Sequence, residues 1–193
     1  MLLSPFSGLS IKVERKITFM LLISMIILMS IMRFFDSQMQ NTSMAKGIIS
    51  FELAKDLSKS EAILDSWNTL AKTSAGMSIG FDFLFLIVYA LFMALLIHKL
   101  NEYLWKHSKV YTFGVILIWS VFLAAFFDII ENIALIKLLL GDLQQKWSLI
   151  AYYFAVSKFT LLLFGIIFII ISSIILFFKK IILKNKLRSI INT

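Results

Sequence analysis

Four nearly continuous apolar runs dominate the chain, at approximately residues 17–35, 80–100, 112–140 and 148–178. Each is long enough to cross about 30 Å of hydrocarbon as a helix rising 1.5 Å per residue. The connections after the second and third runs are short, which makes neighbouring helices antiparallel and predicts an all-α, up-down four-transmembrane-helix bundle forming one membrane domain. Before Arg33 near its outer end, the first run offers only Thr18, Ser24 and Ser30 as polar groups and is expected at the periphery. The single proline, Pro5, lies outside the runs, so nothing predicts the broken helices common in transporters.

Between residues 36 and 79 the pattern changes. Ser58-Lys59-Ser60-Glu61 has capping-box spacing, and behind it Ile63, Leu64, Trp67, Leu70 and Ala71 recur at helical intervals with Lys59, Asp65 and Lys72 elsewhere on the wheel. This predicts an amphipathic helix, packed either over the mouth of the bundle or along the bilayer surface. Ile48 to Ala54 predicts a second short helical turn, and Asn41-Thr42-Ser43 matches a glycosylation sequon.

Charge fixes the expected orientation. Lys12, Arg15 and Lys16 precede the first run, Lys99, Lys106 and Lys109 fall in the second connection, and Lys179, Lys180, Lys184, Lys186 and Arg188 fill the tail at 179–193. The other side carries Arg33, Lys46, Lys55, Lys59, Lys72, Lys137 and Lys146, spread over a longer loop and offset by acids. The asymmetry predicts cytoplasmic N- and C-termini, with Tyr103, Trp105 and Tyr111 as inner and Trp147 as outer interfacial anchors. Ser30-Ile31-Met32-Arg33 offers no small-residue cleavage site, so the first run reads as an uncleaved anchor. The basic tail suits an anionic inner leaflet. The chain is 60% hydrophobic with a net charge of +8, but its bases border apolar runs instead of forming one soluble face, which argues against nucleic acid. With no Cys, thiol chemistry and disulfides are excluded.

Apart from the basic residues near the run ends, four ionisable residues interrupt the runs: Asp82, Asp128, Glu131 and Lys158. Each costs on the order of 2.5–3.5 kcal/mol at the centre of an inserted helix, so each needs a partner or a purpose. Asp128 lies nine residues, ~14 Å, from Lys137, and Lys158 lies eleven residues, ~16 Å, from Trp147, which puts the opposite charges at similar depth. Glu131 shares the face of Asp128, since three residues advance a helix by about 300°. Asp82 falls near the outer end of its run. Asn132, four residues past Asp128, and Tyr89, seven past Asp82, extend the cluster; Tyr153, Ser157 and Thr160 run beside Lys158; Ser120, Ala124 and Asp128 form a small-residue row for close helix approach. If all four are ionised they sum to −2, which predicts a protonated carboxyl, a bound cation or access to water.

Phe51-Glu52-Leu53-Ala54, with Ala62-Ile63-Leu64 and Trp67, then Phe81-Asp82-Phe83-Leu84-Phe85 and Phe127-Asp128-Ile129-Ile130-Glu131-Asn132, resembles a group of small, uncharacterised four-span bacterial membrane proteins over about residues 48 to 165. The resemblance implies the bacterial inner membrane and no particular activity.

Three functions stay open. The cluster binds a cation or small lipophilic ligand, or only fixes helix packing; it serves a membrane-embedded enzyme acting on a lipid or isoprenoid, with Asp128 and Glu131 as acid and base; or it couples protons or ions in an oligomeric carrier. No phosphate loop, nucleophile elbow or His-Glu-x-x-His signature occurs, so no cofactor is expected. His98 and His107 lie in the inner connection, where His98 and Glu102 read as a solvated pair instead of a metal site.

Overall fold

A computed structural model describes residues 3–40 and 47–191, with side chains described through residue 182. Asn41-Thr42-Ser43 and Lys46, and the side chains of Lys184, Lys186 and Arg188, lie outside the described residues. The described chain forms six helices and no strand: α1 (Ile11–Met39), α2 (Ile48–Glu52), α3 (Leu57–Ser66), α4 (Thr69–Leu104), α5 (Val110–Leu139) and α6 (Gln145–Ile191). Helices α1, α4, α5 and α6 are long and apolar enough to cross a membrane, making this a multi-pass membrane protein built as an all-α bundle.

The helices outrun their apolar stretches. Helix α4 has 36 residues, about 54 Å at 1.5 Å per residue, so its first turns stand clear of the hydrocarbon. It starts eleven residues before the apolar run because Asn68 caps it, its Oδ1 accepting from the Ala71 amide at 2.9 Å. Asp82 is therefore not near a helix end: it lies thirteen residues past Thr69, ~20 Å along the helix.

Helices α4, α5 and α6 pack together, while α1 leans mainly on α4. The most apolar window of α1 contributes no buried residue, as expected of a peripheral helix. Gly165 of α6 marks the junction of the other three: a methyl added there would meet Met93 at 3.2 Å and Ile97 and Val121 at 3.5 Å. Towards the end of the bundle that holds the chain termini, Gly114 of α5 lies against Asn101, which is fully buried and donates from Nδ2 to the Tyr111 carbonyl at 2.9 Å. A Cβ at Gly114 would overlap the Asn101 amide. Gly114→Ala should therefore lower stability by about 1–3 kcal/mol, the usual cost of overpacking, read as a drop in the thermal midpoint in detergent.

Residues 47–68 fold as a cap over the other end of the bundle. Phe51, Ile63, Leu64 and Trp67 bury against Met39, Ala71, Ala75, Ile79, Leu135, Leu138 and Ala151, so the amphipathic face packs on the bundle instead of lying on the bilayer. Phe51 and Trp67 meet edge to face at 5.4 Å. The expected capping box does not form: Asp56, not Ser58, is the N-cap of α3. The helix also ends earlier than its periodicity predicts, at Ser66, leaving Leu70 exposed and Ala71 buried within α4. Hydrogen bonds tie the cap to its surroundings. The Leu57 amide donates to Gln145 Oε1 at 2.8 Å, Ser60 and Ser148 hydroxyls meet at 2.8 Å, and the Ile48 amide donates to Asp36 Oδ1 at 2.9 Å. Gly47, at φ 54°, fits beside that Asp36 carboxylate, where a side chain would clash.

At the opposite end the N-terminal arm tucks inward, with the Ser4 hydroxyl 2.8 Å from His98 Nδ1 and the Phe6 ring tilted against His98 and Phe122. The expected His98 and Glu102 pair does not form. Glu102 instead accepts from the Tyr111 hydroxyl at 2.5 Å and pairs with Lys106 at 3.2 Å, while the Trp105 indole donates to Ser172 at 3.1 Å.

Candidate functional site

Lys158 reaches from α6 between the two acids of α5. Its ammonium donates to Asp128 Oδ1 at 2.6 Å and lies 2.7 Å from Glu131 Oε2. Asp128 and Glu131 meet the same ammonium because their 300° separation keeps them on one face. All three are buried, Glu131 completely and Lys158 to 5% exposure. The Tyr89 hydroxyl of α4 donates to the second Asp128 oxygen at 2.9 Å, and the Asn132 amide donates to Asp82 Oδ2 at 2.7 Å. Thus Tyr89, Asp128, Glu131 and Lys158 form one network drawn from α4, α5 and α6, with the Asp82–Asn132 pair close enough to feel its charges, inside the membrane-spanning helices.

Ser157 does not join it. Ser157, Tyr153 and Thr160 are exposed on the outside of α6. Each residue turns a helix by about 100°, so a sequence neighbour of Lys158 points elsewhere. The Thr160 hydroxyl is satisfied by its own helix, donating to the Val156 carbonyl at 2.8 Å. Of the small-residue row, Ala124 is completely buried, as close helix approach requires.

Glu52 is the residue that sequence reasoning left out of the cluster. It ends α2 in the cap, and its carboxyl reaches into the bundle within hydrogen-bonding range of the Glu131 carboxyl. Among the described residues, Glu52 Oε2 and Glu131 Oε1 are sealed from solvent with no hydrogen-bond partner. Burial pushes the Glu52 carboxyl above the ordinary glutamate range; Lys158 opposes this, and Asp128 and Asp36 reinforce it. The one signal in the sequence was a lone acid inside the apolar stretch Ile48 to Ala54. Acids from α2, α4 and α5, namely Glu52, Asp82, Asp128 and Glu131, thus come together around Lys158.

Four carboxyls then surround a single ammonium, an excess of −3 if all are ionised. Ionised carboxylates in a low-dielectric interior repel by several kcal/mol at close range, so the cluster calls for a protonated carboxyl, a bound cation or access to water. Among the described residues no group of three or more His, Asp or Glu has an arrangement fit for a metal ion. Two cavities, of about 480 and 400 Å³, open at the other end, beside Ile11, Arg15 and Phe19 and beside Ile175, Phe178 and Ile182. Neither touches the cluster.

No protein-family model matches this chain, and no curated protein or solved structure is detectably similar to it.

Proposed function

We propose that this chain is a bacterial inner-membrane protein, one of the small four-span group it resembles, whose polar core binds a cation beneath an extracytoplasmic cap. Both termini are cytoplasmic in this reading. Lys12, Arg15, Lys16, Lys99, Lys106, Lys109, Lys179 and Lys180 all lie at the end opposite the cap, where they meet the anionic leaflet.

The observation that carries the functional reading is the acid excess: Asp82, Asp128, Glu131 and Glu52 face one another with only Lys158 among them. A purely structural pair needs one acid and one base; the further carboxyls are superfluous to packing and costly unless they hold positive charge. The enzyme reading has less support. Asp128 and Glu131 are both committed to Lys158 and sealed, so neither is free to act as acid or base on a substrate.

The test is the thermal midpoint of the detergent-purified protein across pH and in sodium, potassium, magnesium and choline salts. A cation that binds only the folded state raises stability by about 2.7 kcal/mol at a hundred times its dissociation constant. The wild type should respond to pH or to one small cation, and Asp82→Asn should shrink the response. A midpoint indifferent to every cation and to pH would refute the reading.

A further inference from the structure

We infer that the carboxyls of Glu52 and Glu131 form a proton-binding site shared between cap and bundle, and that the bound proton latches α2 onto the bundle. This rests on the reading that the core binds a cation, and it names that cation and what its binding controls.

Two carboxyl groups in hydrogen-bonding range have no donor between them unless one carries a proton. One proton satisfies both: it stays covalently on one oxygen, is donated to the facing carboxylate, and leaves the negative charge beside the Lys158 ammonium. The orphan oxygens Glu52 Oε2 and Glu131 Oε1 belong to these same two groups. The proton fits where a larger ion does not, because the carboxyls already lie within hydrogen-bonding range and no three-acid arrangement suited to a metal lies among the described residues. Remove the proton, and two like charges face each other across that range, with Glu52 Oε2 and Glu131 Oε1 shut off from solvent, a strong repulsion at any interior dielectric.

The backbone shows what yields. Helix α2 carries Glu52 and is flanked by the two cap positions with positive φ, Gly47 at 54° and Lys55 at 62°, where the chain changes direction. Helix α3 is held separately, through Gln145 and Ser148 of α6. In the proposed opening α2 swings out about these turns, releasing the bond from Gln145 Nε2 to the Lys55 carbonyl, while α3 keeps its seat. The charged groups facing Glu52 are Asp36 from α1, Asp82 from α4, Asp128 and Glu131 from α5, and Lys158 from α6. Acids outnumber the one base, so the surroundings favour the protonated form. Because burial raises the Glu52 carboxyl, the folded state binds the proton more tightly than the unfolded chain. Stability is highest below the ordinary glutamate range and falls as pH rises through the elevated native value.

The chain has no native cysteine, so spin labels can be placed at two chosen positions in an otherwise unaltered protein. Ile49, exposed on α2, and Lys137, exposed near the end of α5, suit the purpose. The distance between labels on Ile49→Cys and Lys137→Cys is expected to be short and narrow in acidic buffer and longer and broader in alkaline buffer. Adding Glu52→Gln, a neutral isostere of the protonated acid, should hold the short distance at every pH. A distance unchanged by pH, or a Glu52→Gln protein that moves as the wild type does, overturns the latch. If sodium in place of choline restores the short distance in alkaline buffer, the site binds a metal cation and the proton assignment falls, while cation binding stands. If neither pH nor salt moves the distance or the thermal midpoint of the wild type, both readings fall together.

Discussion

Replacing Lys158 with methionine is expected to destabilise the protein by about 3–5 kcal/mol, the largest single effect anticipated in the bundle. Methionine fills a similar volume, so the loss is electrostatic: Asp128 and Glu131 keep their burial but lose the ammonium at 2.6 and 2.7 Å. Combining Lys158→Met with Asp128→Asn should recover part of the loss, since the pair then has no charge to leave unpaired, and adding Glu131→Gln should recover more. The coupling energy between the first two changes should reach about 0.5–3 kcal/mol, measured by unfolding of the single and double variants. Near-neutral single changes would mean that the charges are solvated and that the buried network is wrong.

The second large effect concerns the cap. Phe51 is 1% exposed and meets Trp67 edge to face over the ends of α4 and α5, in a cap beyond the apolar runs, where water drives apolar burial. Phe51→Ala should cost about 3–5 kcal/mol, within the range for truncating a buried phenylalanine. Because the cap is a small unit outside the membrane, the loss should appear as local opening. Hydrogen exchange across α2 and α3 should speed up by about a hundredfold to a few thousandfold, at tenfold per 1.4 kcal/mol, with little change deep in α5. Unaltered exchange would show that the cap is held by its polar ties to Asp36, Gln145 and Ser148 instead of its core.

Much of this was legible in the sequence, and the reasons differ by residue. The spans announced themselves by length, and the rarity of charge inside them singled out Asp82, Asp128, Glu131 and Lys158. Counting residues inward from Lys137 and Trp147 was enough to align Asp128 with Lys158, because a helix has a fixed rise. What failed depended on direction or on tertiary contact. Ser157 neighbours Lys158 in sequence but not in space. Leu70 and Ala71 continued the periodicity of α3, yet Asn68 starts a new helix between them and Trp67, and a local cap bond outweighed the pattern. Glu52 was beyond reach for a different reason: its role depends on how a short helix, bent at Gly47 and Lys55, lies over the bundle, and no periodicity encodes that.

In the function proposed, a bound cation neutralises the acid-rich core, and that cation is a proton. Infrared spectroscopy of the purified protein near neutral pH distinguishes the alternatives, because a protonated carboxyl has a carbonyl stretch distinct from that of a carboxylate. Such a band is expected in the wild type, shifted by deuterium exchange and lost in Glu52→Gln. Only carboxylate bands at neutral pH, together with a stability that ignores added cations, would contradict it.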